Sequence, residues 1–240
     1  GGLGLTVFQG GDQTKENFSI YGDFTYDFND QWALTLGGRY TEDETTADVL
    51  RELWLGLGSG SFDPSNTTSA FFVTQTDFQG LTRSDEEFTP RVSLSYKPTD
   101  NVNLYATFAQ GFKAGGFDPR ARADLDPLGL SEQGFGPEFV DSYEIGAKGS
   151  FFDNTLNLNA AIFFAEYTDQ QITVQSGADS DGDGVNDTFV SSVFNAGESE
   201  YTGFELEGTW FINDLFTLSG NLGIIDAEIQ EILSADVNIA

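Results

Sequence analysis

The feature that most limits what this chain can fold into is strict alternation sustained over unusually long runs, each run ended by a tight polar turn. In the stretch KPTDNVNLYATFAQGFKAGGF, Val102, Leu104, Ala106 and Phe108 fall on one face of an extended strand. Asn103, Tyr105, Thr107 and Ala109 fall on the other, because successive side chains point to opposite sides. The same pattern places Phe18, Ile20, Phe24, Tyr26 and Phe28 opposite Ser19, Asp23, Thr25 and Asp27, and Trp32, Leu34, Leu36 and Tyr40 opposite Thr35 and Arg39. It continues with Val92, Leu94 and Tyr96, then Tyr143, Ile145, Ala147 and Phe151, then Leu156, Leu158, Ala160, Ile162 and Phe164. Phe204, Leu206 and Trp210, followed by Phe216, Leu218, Leu222 and Ile224, complete the series.

Four turns separate these runs, in DFNDQWAL, KPTDNVNL, FFDNTLNL and FINDLFTL, and each supplies the Asp, Asn or Pro that a tight reversal needs. The count is eight strands in four hairpins, with a ninth in residues 3–9. At their other ends the strands meet segments rich in Gly, Asp and Ser, read as long loops over Glu42 to Glu86, Phe112 to Glu138 and Val174 to Ser191. Short turns on one side and long loops on the other is the asymmetry of outer-membrane barrels, whose strands need about 9–11 residues to cross the apolar layer.

Charge position agrees with a lipid-crossing sheet. On the apolar phase the first charges are Asp141, 12 positions before Asp153, and Glu166, 12 positions after Asn154. Phe28, Trp32, Tyr96, Phe151, Phe152, Trp210, Phe211 and Phe216 gather near the turns, where an interfacial aromatic girdle belongs. A soluble β-sandwich also alternates, but its strands run about half this length.

Composition narrows the function. With 10 Lys and Arg against 39 Asp and Glu, the net charge of −29 argues against nucleic acid as a partner. The absence of His and Cys removes the usual triads, thiolate nucleophiles and zinc thiolates, so no enzyme is expected and catalytic residues are none. Arg39, Arg91, Lys97, Glu144, Lys148, Glu205 and Glu207 fall on the polar phase and are expected to form solvated cross-strand ladder pairs. In GFKAGG, Gly111, Gly115 and Gly116 free the backbone at a strand exit, and Lys113 is a candidate contact for headgroups or ligand.

One loop carries metal-ligand spacing. In DSDGDGVND, Asp179, Asp181, Asp183 and Asp187 stand at positions one, three, five and nine of a calcium loop, with Gly184 at the sharp turn and Val185 offering its carbonyl. The twelfth position is Val190 rather than a bidentate Glu, so the expected role is a structural calcium ion of modest affinity. A solvated Gly/Asp turn is the alternative.

FTPRVSLSYKPTDNVNLYATFAQGFKAGGFD, SYEIGAKGSFFDNTLNLNAAIFFAEYTDQQI and NAGESEYTGFELEGTWFINDLFTLSGNLGIIDAEI, in that order, resemble successive hairpins of the barrel of TonB-dependent receptors. The resemblance implies an all-β, antiparallel transmembrane barrel segment that is an open part of a 22-stranded barrel. It implies a bacterial outer-membrane location and active uptake of a scarce ligand such as a ferric siderophore, cobalamin or oligosaccharide, energised through TonB. Implied partners are outer-membrane lipid and lipopolysaccharide, the TonB complex and a small metal chelate. No plug domain, TonB-contacting motif or terminal aromatic is recognised, so residues 1–240 are expected to be a partial barrel domain of a longer chain. Eight strands also leave open a passive porin or small closed barrel, and more distantly a secreted calcium-binding adhesive β-protein.

Overall fold

The computed structural model describes residues 4–56, 69–126, 129–179 and 183–232. They form one antiparallel sheet of strands β1 (Gly4–Gly10), β2 (Gln13–Asp27), β3 (Trp32–Gly56), β4 (Ser69–Thr99), β5 (Val102–Lys113), β6 (Glu138–Phe151), β7 (Leu156–Ala178), β8 (Thr188–Asn213) and β9 (Phe216–Ile232). Neighbours in sequence are neighbours in space, except that β1 and β2 both pair with β3, one above the other. The stretch expected as a ninth strand is thus the upper half of the first, interrupted at Gly11 and Asp12. No pairing joins β1 or β2 to β9 among the described residues, so the sheet is open and the small closed barrel is not what the strands build.

The turns have a local cause. Asn29 Oδ1 accepts the backbone N–H groups of Gln31 and Trp32 at 2.9 and 3.0 Å, and Asn213 Oδ1 accepts those of Leu215 and Phe216 at the same two distances. Each asparagine thereby substitutes for a backbone acceptor in the reversal. In the β6–β7 turn, Phe152, Asp153 and Asn154 all have positive φ, and the Thr155 hydroxyl donates to the Phe152 carbonyl at 2.8 Å.

Register carries one apolar face across the sheet. Tyr26 pairs with Leu34, Leu34 with Leu94, Leu94 with Ala106, Ala106 with Ile145, Ile145 with Ile162, Ile162 with Phe204 and Phe204 with Ile224. These side chains are not a protein core. Ile145 is 69% exposed, Ile162 61% and Leu218 61%, and Leu104 is exposed as well. A continuous apolar surface this large needs an apolar solvent. Its far border is sharp: Asp141, Glu166, Glu200 and Glu228 lie directly opposite one another across β6, β7, β8 and β9.

The strands outrun the expected loops. Glu42–Gly56 and Ser69–Glu86 are paired strand, with Glu42 opposite Glu86 and Val49 opposite Phe78, and Val174–Ala178 pairs with Thr188–Ser192. Two physical causes hid them. Bulges at Ala47/Val49, Arg51/Glu52, Leu53/Trp54 and Tyr167/Gln170 reset the side-chain phase. Beyond the apolar layer, moreover, no oily face marks the period.

The buried residues sit on the polar face, at the end away from the short turns. They include Thr41, Asp43, Thr45, Ala47 and Val49 of β3, Thr76 and Asp85 of β4, Ser199 of β8, and Ala114, Phe117, Asp118 and Ala121 of the β5–β6 connection. That connection, residues 114–137, contains a 3₁₀ turn, Ala123–Leu125, and the single-turn α1, Leu130–Gln133. Its described residues form an inner strap across the sheet.

Candidate lumenal site

The strap is held from both sides by side chains that receive or supply backbone hydrogen bonds. On the β4 side, the Thr76 hydroxyl donates to the Ala121 carbonyl at 2.6 Å and accepts from Ala123 N–H at 3.0 Å, and Asp85 accepts from Gly115 N–H at 2.8 Å. On the β8 side, the buried Asp118 carboxylate accepts from Val193 N–H at 2.9 Å, while Asn195 accepts from Gly136 N–H and donates to the carbonyls of Gly136, Pro137 and Asp169. Gln171 of β7 donates to the Ala114 and Gly136 carbonyls, each at 3.0 Å. Gly116 and Phe135 close the strap on itself through a pair of backbone hydrogen bonds. A Cβ on Gly115 would lie 2.2 Å from the Phe135 carbonyl oxygen and 2.5 Å from Arg83 Nε, so only glycine permits this approach.

Half the basic residues of the chain collect here: Arg51, Arg83, Lys113, Arg120 and Arg122. Three arginines are closed by an aspartate two positions away. Arg83 bonds Asp85 through Nε and Nη2 at 3.0 and 2.7 Å, Arg120 bonds Asp118 at 2.9 Å twice, and Arg122 bonds Asp124 at 2.7 and 2.8 Å. The hydrogen bond from Arg120 to Asp118 raises the arginine's pKa further. Arg51 differs. Its Nε and Nη1 donate to the neutral amide oxygens of Gln75 and Gln9, at 3.0 and 3.1 Å. Burial, followed by repulsion from Arg122, lowers its pKa.

Between the strap and β8 lies a cavity of about 70 Å³, lined by Leu125, Leu130, Phe135, Val190, Val193 and Phe194, with Arg122 and Asp126 among its polar groups. It is apolar and large enough for a small alkyl group, well below the roughly 150 Å³ that admits benzene.

The residues singled out from sequence fare unevenly. Lys113 lies 3.6 Å from Glu138 at the foot of the strap and stays exposed. Arg39, Arg91, Lys97, Glu144, Lys148, Glu205 and Glu207 do lie on the polar face, but none forms an ion pair with another among the described residues. Neutral and aromatic partners replace the expected ladder pairs. Arg39 donates to Ser19 and Thr41, Tyr105 donates to Glu144 at 2.6 Å, Lys148 lies 5.5 Å over the Tyr105 ring, and Asn159 donates to Glu207 at 3.4 Å. Opposite charges seldom fall directly across from each other, so hydroxyl, amide and ring groups do the pairing. The site residues that sequence reasoning missed are Thr76, Asp85, Asp118, Gln171 and Asn195; the Arg–Asp spacings at 83–85 and 118–120 were the available signal for the two aspartates as arginine partners, and no local pattern marked the other three.

In the loop expected to bind calcium, Asp181 lies outside the described residues. Asp179 accepts from Gly184 N–H at 2.6 Å, Asp183 accepts from Val185 N–H at 2.8 Å, and Gly184 has φ of 87°. Asp187 N–H donates to the Ala178 carbonyl at 3.1 Å. Among the described residues no three acidic side chains form a metal-holding group.

An apolar outward face, a polar inward face and tight turns at one end define the wall of an outer-membrane β-barrel. The sequence matches the family described as TonB dependent receptor-like, beta-barrel, over residues 1–238. It is 26% identical over 221 residues to a probable TonB-dependent siderophore receptor of Acinetobacter baumannii, covering 92% of this chain and 25% of that protein. It is 27% identical over 199 residues to the pesticin receptor of Yersinia enterocolitica, covering 82% of this chain and 24% of that one. In structure it resembles the ferric yersiniabactin uptake receptor of Yersinia pestis, with a TM-score of 0.65 at 22% identity, over 95% of this chain and 29% of that one. The chain belongs to the TonB-dependent receptor β-barrel family and is an outer-membrane segment spanning about a quarter of the length of the curated relatives it matches.

Proposed function

We propose that this chain is part of the wall of a receptor that takes up a ferric siderophore or a similar scarce metal chelate by TonB-energised transport. The relatives it matches are receptors, so the reading is transport rather than enzymatic chemistry. The observation that carries it beyond family membership is the inner strap: a polar lumenal wall bears a connection fastened across its outer end by Asp85, Asp118 and Asn195. A fixed inward element suits selective admission of a chelate better than free diffusion through a passive pore. The outward face would meet hydrocarbon and lipopolysaccharide, and TonB would be engaged by a part of the receptor outside this segment.

The test is uptake of radioactive iron, supplied as a panel of ferric chelates, by cells whose only such receptor is the full-length protein. Uptake that requires both TonB and the proton gradient is expected. Uptake that survives an uncoupler and loss of TonB would make the protein a passive channel.

For the Asp179 to Asp187 loop we propose a structural calcium ion. The turn at Gly184 and the folding of loop amides onto Asp179 and Asp183 support it.

A further inference from the structure

Among the described arginines of the outer mouth, Arg51 is the one held by neutral groups rather than by a carboxylate. At the outer mouth Arg83, Arg120 and Arg122 are each neutralised by a bidentate aspartate. Arg51 is oriented instead by two glutamine oxygens, one from β1 and one from β4, and its Nη2 group donates to none of the described residues. The nearby Asp124 is already engaged by Arg122, so the charges of Arg51, Arg122 and Asp124 sum to a net positive spot. Two amide acceptors fix a guanidinium in place without cancelling its charge. An anion arriving from solvent meets a fork that is already aimed, so little side-chain entropy is lost on binding.

We infer that Arg51 is an anion station at the outer mouth, receiving a carboxylate or phenolate oxygen of the chelate in a charge-assisted hydrogen bond. The inference rests on the uptake reading and adds ligand charge to it. Arg39, also held by neutral partners, stands 12 positions lower on β3 and on the same face, away from the strap. Gln9 and Gln75 are positioning residues: they orient the guanidinium and leave its charge intact.

The experiment uses the full-length receptor in detergent, as wild type, Arg51→Gln and Arg51→Lys. Binding of anionic ferric citrate and of a neutral ferric trihydroxamate is measured at low and high salt. Arg51→Gln is expected to weaken citrate-chelate binding about tenfold at low salt, Arg51→Lys to restore part of it, and the neutral chelate to be indifferent. Equal losses for both chelates, or none, would overturn the assignment. Labelling by phenylglyoxal, read by peptide mass spectrometry, gives a second measurement. Arg51 should react faster than Arg83, Arg120 and Arg122 and be protected by iron-free citrate. Protection by citrate in a receptor that binds no ferric chelate would retain the anion station and overturn the iron reading. Chelate binding without selective labelling or protection of Arg51 would do the reverse. Neither binding nor protection would overturn both.

Discussion

Replacing Asp118 by alanine tests whether the strap is part of the wall or a loosely resting loop. The carboxylate is 7% exposed and accepts from Val193 N–H, from Arg120 N–H and from the Arg120 guanidinium, each at 2.9 Å. Hydrogen bonds to charged groups contribute about 1.5–3 kcal/mol each, and an orphaned buried amide adds a desolvation cost. Arg120 is 37% exposed, so its ion pair is screened and most of the effect falls on the Val193 contact. The expected loss is about 2–4 kcal/mol of strap docking, or about 30- to 1000-fold faster amide exchange where docking limits opening. Hydrogen exchange on the full-length receptor should show this at Gly116, Phe135 and Val193, whose amides donate within the strap or to Asp118, while the amides of β5 opposite β6 stay protected. Asp118→Asn, which keeps an acceptor, should fall between wild type and alanine. Unchanged exchange at Gly116 and Phe135, or loss of protection throughout β5 and β6, would refute the reasoning.

Other perturbations follow from the same geometry. Gly115→Ala should detach the strap as strongly as Asp118→Ala, seen as the same exchange pattern, because its Cβ collides with the Phe135 backbone oxygen, which cannot swing aside as a side chain can. Ala160→Arg, on the outward phase and six positions from Asn154, should destabilise folding into lipid vesicles by about 2–4 kcal/mol, while Asn159→Arg on the inward phase should cost little. Asn29→Ala and Asn213→Ala should each lose about 1 kcal/mol in urea titrations of the receptor in lipid, since each removes an acceptor shared by two turn amides. Calorimetric titration with calcium should give a heat that disappears in Asp179→Asn; no calcium-dependent heat or stabilisation would remove the ion from the Asp179 to Asp187 loop.

The membrane-crossing part of the fold was legible because lipid and water impose opposite demands on alternate residues. Phe204, Leu206 and Trp210 against Glu205 and Glu207 could hardly be read otherwise, and the outer border at Asp141 and Glu166 continues in the structure through Glu200 and Glu228. Above that border no continuous apolar face remains. Glu42 to Glu86 therefore looked like loop, although backbone pairing extends through Glu42–Gly56 and Ser69–Glu86. The strap was invisible for a different reason: Thr76, Asp118 and Asn195 act on backbone groups between 26 and 75 residues away, and no local pattern marks such partners. The Arg–Asp pairs two residues apart were readable in the sequence, but spacing does not show that three of them converge on one mouth.

The central claim is that the apolar phase faces hydrocarbon and the other phase faces water. It is tested most directly by single-cysteine scanning of residues 157–164 in the full-length receptor in outer membranes, a stretch that contains no native cysteine. Leu158, Ala160, Ile162 and Phe164 should be labelled by a lipid-soluble maleimide, and Asn157, Asn159, Ala161 and Phe163 by a water-soluble one. Labelling without that two-residue alternation, or shielding of position 162 from both reagents, would contradict the account.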